Sequence, residues 1–126
     1  MSNNTKTIEK YIDGFNKLDH KQILDCLTDD VEWTKPGIFH HKGKEAFDNE
    51  IENPAFSGTP VVTITRMTEE NDVVVVEGTV LAQKASGEKL PLIFCDVLEM
   101  QEGKIKKLIG FIAEQKNVDW LGGIFL

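Results

Sequence analysis

The sequence predicts an α+β fold, with helices first and a curved antiparallel sheet after them. Two observations predict it. Through the first half of the chain, apolar residues recur at helical spacing. From Pro60 onward the period falls to two, and turn clusters at Glu69–Asp72, Ala85–Glu88 and Gln101–Gly103 divide the alternating runs. Strand–turn–strand units in succession form an antiparallel meander, and the helices cover one of its faces.

The elements follow in order. Ile8, Tyr11, Ile12, Phe15 and Leu18 form the stripe of a first helix, with Thr5 or Thr7 as its cap and Glu9 in support. Asp19 caps a second helix whose apolar face is Ile23, Leu24 and Leu27, and Asp29-Asp30 ends it. The two make a helical hairpin. Val31–Lys35 alternates as a short strand, and Pro36-Gly37 breaks it. His40 and His41 fall in the loop that follows. A third helix spans Gly43–Asn53 with Ala46, Phe47 and Ile51 inward, and Asn53-Pro54 stops it. Four longer strands then cover Val61–Met67, Val73–Ala82, Lys89–Met100 and Lys104–Ala113. The last strand carries apolar residues on both parities, so the sheet needs a partner on each face. The helices supply one, and a second copy of the chain in a homodimer supplies the other. The terminal Asn117–Leu126 is too apolar for a free tail and is expected to pack on the domain or on a partner.

Length and composition set limits. The 126 residues suit a single domain spanning 1–126, with 40% hydrophobic and 28% charged residues. A net charge of −7 disfavours nucleic acid, whose phosphates require a basic face. No apolar run approaches the roughly 20 residues of a membrane span, and the N-terminal residues lack the apolar core of a signal peptide. The expected location is therefore cytoplasmic. Cys26 and Cys95 stand outside any zinc-ligand spacing and are read as free, structural thiols, with no metal expected.

Several residues are weighed for a site. Asp96 sits between Cys95 and Val97 in a strand with apolar residues on both parities. A carboxylate there is paired, protonated or functional. Tyr11 lies on an apolar helix stripe, and its hydroxyl needs a partner if buried. Trp33 is core or pocket wall. Lys35 is either a solvated lysine whose stem covers Trp33, or a cation paired with Asp96 or with an anionic ligand. Neighbouring histidines point apart on extended backbone, so one of them, His41, is the candidate base, and a surface histidine is the rival reading. Glu50 reaches the mouth from the third helix or is simply solvated. Phe94 and Ile112, on the last two strands, complete the expected ligand-binding wall with Trp33 and Lys35.

The chain resembles the SnoaL-like branch of the nuclear transport factor 2-like superfamily, which includes ketosteroid isomerases, limonene-epoxide hydrolases and polyketide cyclases. The resemblance rests on Tyr11–Asn16 with Asp19, on Leu27–Trp33 with Pro36-Gly37, on Lys42–Phe47, and on Asp96–Met100 leading through Gly103–Ile105 to the last strand. It implies a cystatin-like cone, in which three N-terminal helices pack into a strongly bent antiparallel sheet around a deep pocket, and dimerisation through the outer sheet face. It further implies a small apolar or amphipathic ligand and, in an enzyme, cofactor-independent isomerase, cyclase or hydrolase chemistry with Asp96, His41 and Tyr11 as the acid–base groups. Ketosteroid isomerases use an aspartate base, a tyrosine and a protonated aspartate. Tyr11 and Asp96 match the last two, but Lys35 stands at the base position, which argues against steroid isomerisation. The epoxide hydrolases need an Asp-Arg-Asp set, and the lone arginine, Arg66, lies beside a turn without a second carboxylate. The alternative to catalysis is a ligand-binding or association domain.

Overall fold

A computed structural model describes residues 2–115. The apolar segment Asn117–Leu126 lies outside the described residues. Helix α1 runs Asn3–Lys17 and α2 His20–Leu24. Strand β1 (Leu27–Lys35) and strand β2 (Phe39–Lys42) lead into α3 (Gly43–Ile51). Strands β3 (Val61–Glu70), β4 (Val73–Gln83), β5 (Lys89–Gln101) and β6 (Lys104–Glu114) complete the chain.

The start of α1 differs from expectation. Ser2, not Thr5 or Thr7, is the cap, its Oγ accepting from the Thr5 amide at 3.1 Å. Thr7 lies inside the helix and its hydroxyl reaches the Gly103 carbonyl at 2.6 Å. Asn4 is drawn inward as well, donating to Glu69 at 2.8 Å and Asp72 at 3.0 Å. These long-range bonds extend the helix past the caps that local chemistry favours. Asp19 does cap α2 as expected, through the Gln22 amide at 3.0 Å. At Gly14 a Cβ would lie 2.7 Å from the Ile23 side chain, so only glycine lets the two helices pack this closely.

Helix α2 is only five residues long. Leu27, expected on its stripe, belongs to β1, and Asp29-Asp30 lie within that strand rather than after a helix. The histidines are not in a loop either. His40 and His41 belong to β2, which folds back on β1 with Trp33 opposite His41 and Lys35 opposite Phe39. The helical period in this region is carried by too few residues to resist strand pairing.

The six strands form one sheet in the order β2-β1-β6-β5-β4-β3. All neighbours are antiparallel except β1 and β6, which run parallel. The β3–β4 hairpin turns on Asn71 and Asp72, at φ 51° and 62°. Both values are positive, as a two-residue turn matched to the strand twist requires. Register shifts at Ile64/Arg66, Glu99/Met100 and Leu27/Glu32 mark bulges, each of which bends its strand. The sheet curls around the helices into the expected cone. Its closed end is filled by Ile8, Ile23, Val74 and Ile105, each at 0% exposure, with Leu27, Val31, Leu98 and Leu108 around them. The opposite face of the sheet carries Val61, Leu81, Ile93, Ile109 and Phe111 exposed. Among the described residues no helix is long and apolar enough to cross a membrane.

Candidate functional site

Toward the open end the packing gives way to a cavity of about 530 Å³. Inward-facing residues of β1, β5 and β6 form one wall, and α1 and the C-terminal end of α3 the other. The wall is largely aromatic. Trp33 stacks on Phe47 with ring centroids 4.2 Å apart and meets Phe39 edge-on at 5.1 Å. Tyr11 packs against Phe15 at 5.1 Å.

Tyr11, Lys35, Glu50, Glu52, Ser57 and Asp96 bring the charged and hydroxyl groups into this apolar lining. Asp96 pairs in register with Gly110 of β6, and Lys35 follows the Thr34–Ile109 pair of the parallel β1–β6 ladder. The two side chains therefore flank Gly110 from opposite strands. A Cβ on Gly110 would lie 2.9 Å from Asp96 Oδ1 and 3.8 Å from Lys35 Cε, so the missing side chain is what gives both groups room. Glycine in a strand interior often marks such a close approach.

Neither Asp96 nor Tyr11 hydrogen-bonds to another described side chain, and none of their polar atoms is fully shut off from the cavity. Burial pushes the Asp96 carboxyl up to about 7, against the opposing pull of Lys35. Burial, reinforced by the Asp96 charge, likewise holds the Tyr11 hydroxyl well above its ordinary value. Lys35 is shifted down by burial, while Asp96 and Glu50 act the other way. Its ammonium lies 5.7 Å from the Trp33 ring centroid and 5.9 Å from that of Phe39. A Lys35–Asp96 ion pair, one of the alternatives open for this lysine, does not form. The lysine stem runs along Gly110 and its head rests on the aromatic rings instead.

The structure brings Tyr11, Trp33, Lys35, Phe94 and Asp96 together at the cavity, with Ile112 at the rim and 37% exposed. His41 is not among them. It stacks on Phe39 at 4.4 Å and its Nε2 lies 2.9 Å from Glu50, outside the lining. The expected proximity of His41 and Asp96 is therefore corrected: β2 is the edge strand, and its histidine is engaged by Glu50 of α3 instead of lining the cavity. His40 faces the other way, 2.6 Å from the Thr34 hydroxyl. Glu50 is part of the lining rather than a solvated helix position.

Gly110 was missed by sequence reasoning, although a lone glycine inside a β-branched strand was a visible signal. His20 gave no signal. It bridges Asp48 of α3 and Glu52 at that helix's C-terminal cap, each at 2.5 Å, and links α2 to the helix that walls the cavity. Arg66 is bound to Glu77 at 2.6 and 2.9 Å, is exposed, and lies off the cavity. Among the described residues no cluster of three or more His, Cys, Asp or Glu side chains has the arrangement of a metal site.

Known structures share this architecture. A nuclear transport factor 2-like protein of unknown function from Burkholderia pseudomallei is 23% identical with a TM-score of 0.81, over 87% of this chain and 90% of the other. TerC, crystallised with polyporic acid, is 24% identical with a TM-score of 0.79, over 86% and 90%. An epoxide hydrolase of limonene-epoxide hydrolase type from M. tuberculosis is 16% identical with a TM-score of 0.77, over 88% and 83%. At these identities the likeness is one of fold. No curated protein matches the chain in sequence. The model of the SnoaL-like domain matches residues 8–108, and the chain accordingly belongs to the SnoaL-like family of the nuclear transport factor 2-like superfamily.

Proposed function

We propose that the chain binds a small, mainly apolar molecule in the cone and acts on it by acid–base chemistry of its own side chains, as an isomerase, cyclase or hydrolase. The observation that carries this reading is Asp96, a carboxyl group on an apolar cavity wall that titrates at about 7 and bonds to no described side chain. Such a group exchanges protons readily at neutral pH. Tyr11, facing the same cavity and held protonated, donates a hydrogen bond to a ligand oxygen. His41 acts only through Glu50, fixing that carboxylate on α3. Steroid isomerisation is disfavoured by Lys35 at the base position, and epoxide hydrolysis of the Asp-Arg-Asp type by the placement of Arg66.

A non-catalytic binding domain is the second reading, favoured by the separation of His41 from the cavity. One experiment separates the two. Compounds with enolisable carbonyl groups are screened by thermal shift, and those that bind are tested for turnover by the native protein and Asp96→Asn. Turnover lost in the variant while binding persists supports catalysis. Tight binding without turnover of any compound supports the binding domain, and absence of binding sinks both.

The proposal includes one domain over the whole chain, a cytoplasmic location in keeping with the free Cys26 and Cys95, and a homodimer. The dimer would pack through the exposed Leu81, Ile93 and Phe111 of the outer face, and light scattering that finds a monomer would remove it.

A further inference from the structure

We propose that the cavity takes its ligand as an anion: a flat aromatic or enolic molecule whose acidic oxygen (carboxylate, phenolate or enolate) meets the Lys35 ammonium within the cavity, in reach of the Asp96 carboxyl group. This deepens the small-molecule reading above and rests on it.

The starting point is the lysine. Lys35 is half-buried, and among the described residues no carboxylate lies within the 4.0 Å of an ion pair. Asp96 and Glu50 act on it by charge at a distance. The Trp33 and Phe39 rings at 5.7 and 5.9 Å replace part of the lost hydration, as aromatic faces do for cations. A cation withdrawn from water is fully compensated only by an anion. Glu50 is not that anion, because His41 holds it at 2.9 Å and Asn53 at 3.4 Å. A ligand oxyanion is.

Gly110 sets the two groups in place. Its missing side chain makes room for the Asp96 carboxyl group and the Lys35 stem on the cavity face of β6, and the lysine stem carries the ammonium on toward Trp33 and Phe39. Trp33, Phe39 and Phe94 wall that space with ring faces and edges, a shape that suits a planar molecule.

Asp96 then makes binding depend on pH. Protonated, it donates a hydrogen bond to the anion; ionised, it repels the anion. With its carboxyl at about 7, affinity for an anion falls as pH rises through neutrality. The other titratable groups that line the cavity are Lys35 from β1, Tyr11 from α1, Glu50 from α3 and Glu52 just beyond it, with His41 of β2 bonded to Glu50 and His20 to Glu52. Tyr11 stays protonated through this range.

The test uses a matched pair, 2-naphthoate and 2-naphthamide, titrated into the full chain by calorimetry at about pH 6 and about pH 8. The expected result is at least a roughly tenfold preference for the carboxylate at the lower pH, narrowing severalfold at the higher. Asp96→Asn, which keeps a donor but cannot ionise, should bind naphthoate equally at both. Lys35→Met should abolish the preference and Lys35→Arg retain it, with folding checked by circular dichroism. Equal affinity for the pair, or a preference for the amide, overturns the anion proposal and leaves the cavity reading standing. Binding of neither compound overturns both.

Discussion

The two ends of the cone are built from the same strands and could hardly differ more. In β1 the closed end has Val31 and the open end Lys35; in β5 Leu98 gives way to Asp96; in β6 Leu108 gives way to Gly110. Each change takes only two or four residues along one face of a strand. At the closed end these strands turn apolar side chains inward, and each meets others. At the open end the same face carries a cation, a carboxyl group and a missing side chain, arranged around a cavity. The closed end holds the fold rigid enough for the open end to keep groups that would be costly in a packed core.

The largest effect that tests this contrast is at the closed end. Leu98→Ala removes a side chain with 1% exposure and should cost about 2–5 kcal/mol in urea unfolding. A loss below about 1 kcal/mol would mean that this end collapses readily and is not the rigid support. Gly110→Val comes next. Its side chain would meet Asp96 Oδ1 at the 2.9 Å given for Cβ, so it should cost about 1–3 kcal/mol and abolish ligand binding. Unchanged ligand affinity would remove Gly110 from the site.

Asp96→Asn should have the opposite sign. The folded carboxyl titrates at about 7 and the unfolded one at about 4. Between those values the folded state holds a proton that the unfolded state has released, so native stability falls as pH rises from about 4 to about 7 and then levels. The asparagine variant escapes that cost. It should match the native protein near pH 4 and exceed it by about 1–3 kcal/mol near pH 8. Parallel stability curves for the two proteins would mean that Asp96 is not desolvated. Such a gain, at the expense of the site, is the usual trade between stability and function.

The smallest effect concerns the wall itself. His20 is raised above its ordinary value by Asp48 first and Glu52 second. Its contribution is complete below the unfolded value of about 6.5 and is lost as pH rises through the raised folded one. Because its side chain is 34% exposed, His20→Gln should cost no more than about 1 kcal/mol at about pH 6, and less at about pH 9. A cost that does not change with pH would assign His20 a packing role.

Much of the cone could be read from the residues because its signals are local. Ile8 to Leu18 announce a helix by spacing, Asp19 announces a cap, and alternation from Val61 onward announces strands. Tyr11, Trp33, Lys35, Phe94 and Asp96 were identified from parity and resemblance, and all five meet at the cavity. The failures were nonlocal. His41 was placed in a loop because nothing near it in the chain shows that Phe39–Lys42 pairs with β1. The caps at Thr5 and Thr7 lost to Ser2 because α1 is also bonded to Glu69, Asp72 and Gly103, far along the chain.

By itself the sequence determined the succession of three helices and four long strands, a turn cluster over Glu69–Asp72, and the candidates Tyr11, Trp33, Lys35, Phe94 and Asp96. Tertiary structure alone decided that β1 lies parallel to β6, which sets Lys35 and Asp96 on either side of Gly110. It also decided that His41 bonds to Glu50 of α3 instead of lining the cavity. The reason is physical: periodicity along a strand says which way a side chain points, whereas the neighbouring strand is chosen by the packing of the whole sheet.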